Sequence, residues 1–343
     1  KDALNTLYDN LIEKRNQEAI NAGFSNYRDY RFKELGRFDY TKDDCFKFHD
    51  AVKQHVLPLV NIIYQKKKEK LGLDSLRPWD IEAEPSGVNP LIPFKTSEEL
   101  IEKSIACFSK LRPFFGECLK KMQELKHLDL ESRKGKAPGG YNCPLAESGA
   151  PFIFMNAAGQ MHDVTTMLHE GGHAVHSFLA HPLELNGFKE YPMEIAEVAS
   201  MAMELMSMDE WETFFTDATD LQRAKEHQLE RVITIFPWIA IIDKFQHWIY
   251  EHPVHTHEER TATWNEILKE FQDNVIDYSG LETYRSNNWQ RQLHLFEVPF
   301  YYIEYGIAQL GAIGMWMQYK ENKQLAMDNY CNALALGGTK TLP

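Results

Sequence analysis

Residues 169–173 read His-Glu-Gly-Gly-His, a spacing with a specific chemical meaning if the segment is helical. Four residues advance an α-helix by about 400° and about 6 Å. His169 and His173 then share one face and can hold one tetrahedral Zn²⁺ between them. Glu170 is rotated off that stripe, where its carboxylate can take a proton from a water activated by the metal, the general-base position of zinc peptidases. The flanking Asp163-Val164-Thr165-Thr166-Met167-Leu168 and Ala174-Val175-His176-Ser177-Phe178-Leu179-Ala180 are largely apolar. The helix is therefore expected to be buried, where unpaired His and Glu side chains would be costly. Gly171 and Gly172 each disfavour a helix by about 0.8–1 kcal/mol relative to Ala. Close approach of a second helix or of a substrate backbone would offset that cost.

A catalytic zinc keeps three protein ligands and one open position. The next acidic helix is expected from Met193 and reads Glu194-Ile195-Ala196-Glu197-Val198-Ala199-Ser200-Met201-Ala202-Met203-Glu204-Leu205. Glu194, Glu197 and Glu204 recur at helical spacing on an otherwise apolar helix, and buried carboxylates need a partner such as a cation. Helical geometry does not choose among the three. His176, about 10 Å of helix rise beyond His169, is too far away to share its ion and reads as a packing residue or a support for the ligands. His162 and His181 read as structural.

His-Glu-Gly-Gly-His-Ala-Val-His followed by Glu-Ile-Ala-Glu-Val-Ala-Ser resembles the oligoendopeptidase F branch of the thimet oligopeptidase (M3) family of zinc metallopeptidases. The resemblance runs from Arg133 onward and is specific over these two helices. It implies a mainly α, large helical two-lobed zincin-type fold with a small β-sheet beside the zinc-binding helix. It also implies one Zn²⁺ per chain, held by His169, His173 and Glu197. Glu204, two turns beyond Glu197, matches a family glutamate expected to orient a ligand imidazole.

A second group of residues lies at His294-Leu295-Phe296-Glu297-Val298-Pro299-Phe300-Tyr301-Tyr302-Ile303-Glu304-Tyr305. Pro299 fits a helix start, after which Tyr302 and Tyr305 share a face at i, i+3. Aromatic stripes usually belong to a core. The family resemblance instead implies donors to the oxyanion that forms when water attacks a peptide carbonyl: Tyr305 first, then His294, with Tyr302 or Tyr301 binding substrate. The run Pro151-Phe152-Ile153-Phe154-Met155-Asn156 between Gly149 and Gly159 reads as a strand. Lying just before the zinc helix, it could bind an extended peptide by strand addition, with Phe154 as a substrate-binding position.

The elements that must position these residues are almost all helical. Leu4, Leu7, Tyr8, Leu11 and Ile12 mark a first amphipathic helix. Ser25 and Thr41 look like caps, Pro78, Pro85, Pro90 and Pro93 punctuate a loop, and Thr96 with Glu99 forms a capping box. Residues 127–159 are the only plausible place for a sheet, and 232–242 reads as a buried helix kinked at Pro237. A helical lobe over 1–126 and a zinc-binding catalytic lobe over 127–343 are expected, with the chain truncated at both ends relative to the family. His252-Pro253-Val254-His255-Thr256-His257 reads as a loop entering a helix, with Thr256 and Glu259 as its capping box, and is a poor zinc site.

The chain has 343 residues, 43% of them hydrophobic, enough for a large core. Its 37 basic and 50 acidic residues give a net charge of −13, which disfavours nucleic acid and anionic membrane as partners. Cys45, Cys107, Cys118, Cys143 and Cys331 are odd in number and widely spaced, so no disulfide framework is expected and a reducing cytoplasm suits the chain. No segment reaches the roughly 18 apolar residues of a membrane span. The expected function is zinc-dependent hydrolysis of internal bonds in short oligopeptides. Two alternatives fit the same residues: a zinc carboxypeptidase of related HExxH plus Glu type, and a catalytically silent, zinc-stabilised peptide-binding module.

Overall fold

Proline, glycine and side-chain caps divide the chain into fourteen α-helices and three short strands, described over residues 1–341 of a computed structural model. In order these are α1 (Asp2–Asn21), α2 (Tyr27–Glu34), α3 (Lys42–Ala51), α4 (Leu57–Leu71), α5 (Ser97–Leu111) and α6 (Pro113–Glu124). The strands β1 (Leu128–Glu131), β2 (Tyr141–Cys143) and β3 (Phe152–Ala157) follow, then α7 (Met161–Ala180), α8 (Met193–Ser207), α9 (Ala218–Glu251) and α10 (His257–Glu270). The last are α11 (Glu282–Arg285), α12 (Leu293–Glu297), α13 (Tyr302–Glu321) and α14 (Lys323–Leu334). The architecture is thus mainly helical with one small sheet, as expected. Among the described residues no helix is long and apolar enough to cross a membrane.

Two compact units make up the chain: Lys1–Asn89 with Glu230–Gly306, and Pro90–Leu229 with Ile307–Pro343. Neither is a continuous stretch, unlike the lobes expected on either side of residue 126. The divisions fall within α9 and α13, so each unit contains part of a helix whose remainder belongs to the other.

In the first unit, α1 contributes the buried Tyr8, Ile12 and Ala19, and α9 contributes Ile239, Ile242, Phe245 and Ile249. Arg15 is drawn into this core because it has acceptors there: its Nη1 donates to Tyr250 Oη at 2.9 Å and to the Leu295 carbonyl at 3.1 Å. α9 runs through Pro237 as one helix.

In the second unit, α7 is opened by Asp163, whose Oδ2 accepts from the backbone N–H groups of Ala158 and Gln160, each at 2.8 Å. α7 lies along α8, with Gly172 of α7 set against the backbone of Ala199 and Ser200 of α8. The sheet has the order β1-β3-β2, with β1 parallel and β2 antiparallel to β3. It lies against α7 and ties the loop of residues 132–140 to the unit. Asp129 accepts both terminal nitrogens of Arg133, at 2.6 and 2.8 Å, and Lys136 Nζ at 3.1 Å.

Candidate functional site

The second unit brings the His-Glu-Gly-Gly-His residues of α7 against α8 because two side chains are missing from α7. A Cβ on Gly172 would lie 2.6 Å from Ser200 Cα and 2.7 Å from the Ala199 carbonyl oxygen. One on Gly171 would lie 2.6 Å from Phe108 Cζ of α5. The two glycines that weaken the helix locally are therefore the ones that admit its neighbours, and at Gly172 the neighbour is the backbone of α8.

At this crossing His169 Nε2 is 3.3 Å and His173 Nε2 3.8 Å from Glu197 Oε2, and the two imidazole rings stand nearly perpendicular. The ligand atoms of the three residues all lie within 4.8 Å of one another. A tetrahedral zinc with bonds of about 2.0–2.2 Å would hold its ligand atoms about 3.3–3.6 Å apart. Two imidazole nitrogens and one carboxylate oxygen at this spacing fit such an ion. Of the three glutamates that periodicity left open, Glu197 is the one that joins the histidine pair.

Glu204 stands behind His169. Its Oε1 accepts from His169 Nδ1–H at 2.7 Å, and its Oε2 accepts from Gln228 Nε2 at 2.7 Å. That contact fixes the ring orientation and leaves Nε2 facing Glu197. Ser200 Oγ donates to Glu197 Oε2 at 3.2 Å. Gln228 and Ser200 were not singled out from the sequence. Gln228 lies on another helix, with no local spacing to mark it, and Ser200, three residues after Glu197, reads in the sequence as an ordinary small helix residue.

Charge follows the same plan. Burial opposes a charge on His169, but hydrogen bonds from it to Glu197 and Glu204 raise its pKa well above the ordinary value, so the site favours positive charge between the two carboxylates. Burial draws His173 down to about 4. Burial also pushes the Glu170 carboxyl up to about 7, opposed by His169 and reinforced by Glu197 and Glu204. A divalent cation held by the neighbouring ligands would pull that carboxyl back down. Gly140 borders Glu170: a Cβ there would lie 3.2 Å from Thr166 Cγ2 and 3.6 Å from Glu170 Oε1. His176 is fully buried, and its ring stacks on Tyr191 with centroids 3.6 Å apart.

Strand addition to β3, expected from the sequence, does not fit the sheet. β3 is the central strand, with β1 on one side and β2 on the other over residues 152–154, and β2 stands at the edge. An isolated apolar run cannot show that a short polar strand ten residues earlier will pair with it. Phe154 stacks on Tyr141, with centroids 5.0 Å apart, and carries Lys136 Nζ 4.4 Å above its ring.

The aromatic cluster belongs to the first unit. His294 Nε2 lies 3.3 Å from Tyr305 Oη, and the His294 ring meets those of Tyr302 and Tyr301 with centroids 5.1 and 5.8 Å apart. Trp238 Nε1–H donates to Gln292 Oε1 at 2.9 Å, while Gln292 Nε2 is 2.7 Å from His294 Nδ1. An indole only donates, so the Gln292 amide is oriented with its NH₂ towards Nδ1, and a neutral His294 keeps its proton on Nε2. Burial pushes Tyr302 up to about 12, so its phenol stays protonated.

Pro299 does not open the helix here. α12 ends at Glu297, α13 starts at Tyr302, and Phe300 between them has φ +65°. Tertiary contacts hold that turn: Phe300 N–H donates to Gln246 Oε1 at 2.6 Å, and its carbonyl accepts from Arg37. Its ring is buried among Phe32, His247 and Tyr250.

Residues 1–343 match Peptidase family M3. An oligoendopeptidase F homolog of Borreliella burgdorferi is 26% identical over 297 residues, 83% of this chain and 48% of that protein. Among solved structures, Pz peptidase A with an inhibitor superimposes with TM-score 0.94 at 30% identity, over 99% of this chain and 60% of that one. An oligoendopeptidase F structure gives TM-score 0.92 at 31% identity, with the same coverage of 99% and 60%. The chain spans about half the length of the curated relatives it matches.

Proposed function

Because this chain belongs to peptidase family M3, we infer that it carries the metal-binding and proton-transfer residues of a zinc-dependent oligoendopeptidase acting on internal bonds of short peptides. What supports the reading above all is the convergence of His169, His173 and Glu197 with Glu170 on the adjoining helix position. These three residues would hold the zinc, which when bound supplies Lewis acidity to a water and to the scissile carbonyl.

The protein's own groups do the remaining work. Glu170 takes the proton of the attacking water on a carboxylate oxygen and hands it to the departing amine nitrogen, returning to its starting charge. Glu204 holds His169 Nδ1–H, so that Nε2 keeps its lone pair for the metal. His294 Nε2–H and Tyr305 Oη–H are assigned the oxyanion-donor role that the family resemblance implies, with Tyr302 or Tyr301 binding substrate.

Two measurements on the same preparations test this. His173→Ala should lower zinc content by one equivalent per chain, and Glu170→Gln should keep that zinc while turnover of an internally quenched peptide falls at least roughly a hundredfold. Mass spectrometry of the digest should show pairs of oligopeptide fragments. Release of single C-terminal residues would instead identify a carboxypeptidase, and unchanged turnover in Glu170→Gln would remove the base from the mechanism.

A further inference from the structure

The first unit contains a second cluster of metal-binding side chains that the peptidase reading does not use. Cys45 and His49 lie four residues apart on α3, and Asp243 and His247 lie four residues apart on α9. Each pair shares a helix face, and the two faces meet. All four residues are buried, none more than 2% exposed. The ligand atoms of Cys45, Asp243 and His247 lie within 4.8 Å of one another. His49 Nε2–H donates to Asp243 Oδ2 at 2.8 Å.

We propose that Cys45, Asp243 and His247 form a three-ligand site for a second divalent transition metal, with zinc the best match, and that His49 positions the Asp243 carboxylate. The hydrogen-bond pattern is what favours a cation over a plain buried ion pair. Neither ring nitrogen of His247 makes a hydrogen bond, and neither does Asp243 Oδ1. His247 Nε2 comes within 3.3 Å of Asp243 Oδ2 without the alignment of a hydrogen bond. An imidazolium in this position would need two aligned acceptors, and the ring is surrounded instead by Phe32, Phe46 and Phe300. A neutral imidazole with an available lone pair, a thiol and an available carboxylate oxygen make up a sulfur, nitrogen and oxygen set that suits Zn²⁺.

Charge leads to the same conclusion. Cys45 lies buried beside Asp243, with Arg37 nearby. Arg37 is itself paired with Glu304 at 2.6 Å. On binding, the Cys45 sulfur loses its proton to solvent and bonds the ion. One thiolate, one carboxylate and one divalent cation then sum to zero charge in a space where a net charge would be costly. No redox step is involved. Metal-bridged helix pairs of this kind occur in helical bundles, and here the ion would fasten α3 to α9.

Cobalt tests the proposal, because a sulfur ligand gives Co²⁺ a near-ultraviolet charge-transfer band that His169, His173 and Glu197 cannot produce. The whole chain is refolded with Co²⁺ and no zinc, so that a buried site can fill. The expected spectrum shows that band, lost together with one equivalent of cobalt in Cys45→Ser and His247→Ala, but kept in His169→Ala and Cys143→Ser. A wild-type chain with no such band, as a metal-free Asp243–imidazolium contact would give, overturns the proposal without any variant. So does a band that survives Cys45→Ser. Failure of zinc binding at His169 leaves this test untouched.

Discussion

Gly172→Ala separates the local preference of a helix from the tertiary demand placed on it. In an isolated helix the change should stabilise by about 1 kcal/mol. Here the new Cβ would sit 2.6 Å from Ser200 Cα and 2.7 Å from the Ala199 carbonyl oxygen. Ordinary carbon contacts lie at about 3.5–4.0 Å, so α7 and α8 must part by about 1 Å. Both obstacles are backbone atoms, and the Ala199 oxygen is also held by Tyr330 Oη at 2.6 Å, so no rotamer change relieves the clash. Overpacking of this kind costs roughly 1–3 kcal/mol. At the upper end, the net effect after the helix-propensity gain is a loss of about 2 kcal/mol. The displacement also carries Glu197 away from His169 and His173, whereas a metal site tolerates errors of only about 0.2 Å. Zinc affinity should fall on the order of tenfold to a hundredfold. Denaturant unfolding with a competitive zinc titration measures both effects. Gly171→Ala is the comparison, because its Cβ meets the side chain of the buried Phe108 rather than the backbone of α8, so it should cost stability without moving Glu197. A Gly172→Ala protein as stable as the parent, with unchanged zinc affinity, would refute the claim that α8 requires glycine there.

Glu204→Gln should weaken zinc binding about tenfold or more by loosening His169, and Gln228→Ala less so; a larger loss in Gln228→Ala than in Glu204→Gln in zinc titrations would show that Gln228 does not act through Glu204. Tyr305→Phe should lower kcat with little change in KM if its hydroxyl acts only in the transition state, and a change confined to KM would make it a substrate-binding group. Hydrogen bonds from Arg133 and Lys136 hold the Asp129 carboxyl at about 2, below its ordinary 3.8. A depressed carboxyl stabilises the fold above its unfolded pKa and loses that contribution as pH falls through the folded value. Asp129→Asn should therefore cost at most about 1 kcal/mol at neutral pH after solvent screening, and the difference from the parent should fade between pH 4 and 2 in acid titrations followed by circular dichroism. A gap that stayed constant over that window would exclude a charge effect.

The core of the candidate metal centre was legible in the sequence because it is local. His169, Glu170 and His173 fall within one helical turn, and helix geometry alone fixes which of them share a face. The cap at Thr41 and the capping box at Thr256 were equally legible, since each involves residues only three apart. Periodicity could not say which of Glu194, Glu197 and Glu204 meets the histidines. That depends on where α8 crosses α7, which is set by the absence of side chains at Gly172 and by the small residues facing it.

The remaining differences share a cause. The turn at Pro299 and Phe300 is held by Arg37 and Gln246, more than 50 residues away. The central place of β3 depends on β1 and β2, and both compact units are discontinuous because α9 and α13 supply segments to each. Cys45-x3-His49 and Asp243-x3-His247 are unremarkable motifs nearly two hundred residues apart, and only packing brings them together. The sequence by itself determined the helical class, the candidate residues for metal binding and proton transfer, and their spacing along one helix. The tertiary structure decided which carboxylate completes the set, which side chains hold it in place and which distant residues meet, because these contacts arise between elements that no local pattern relates.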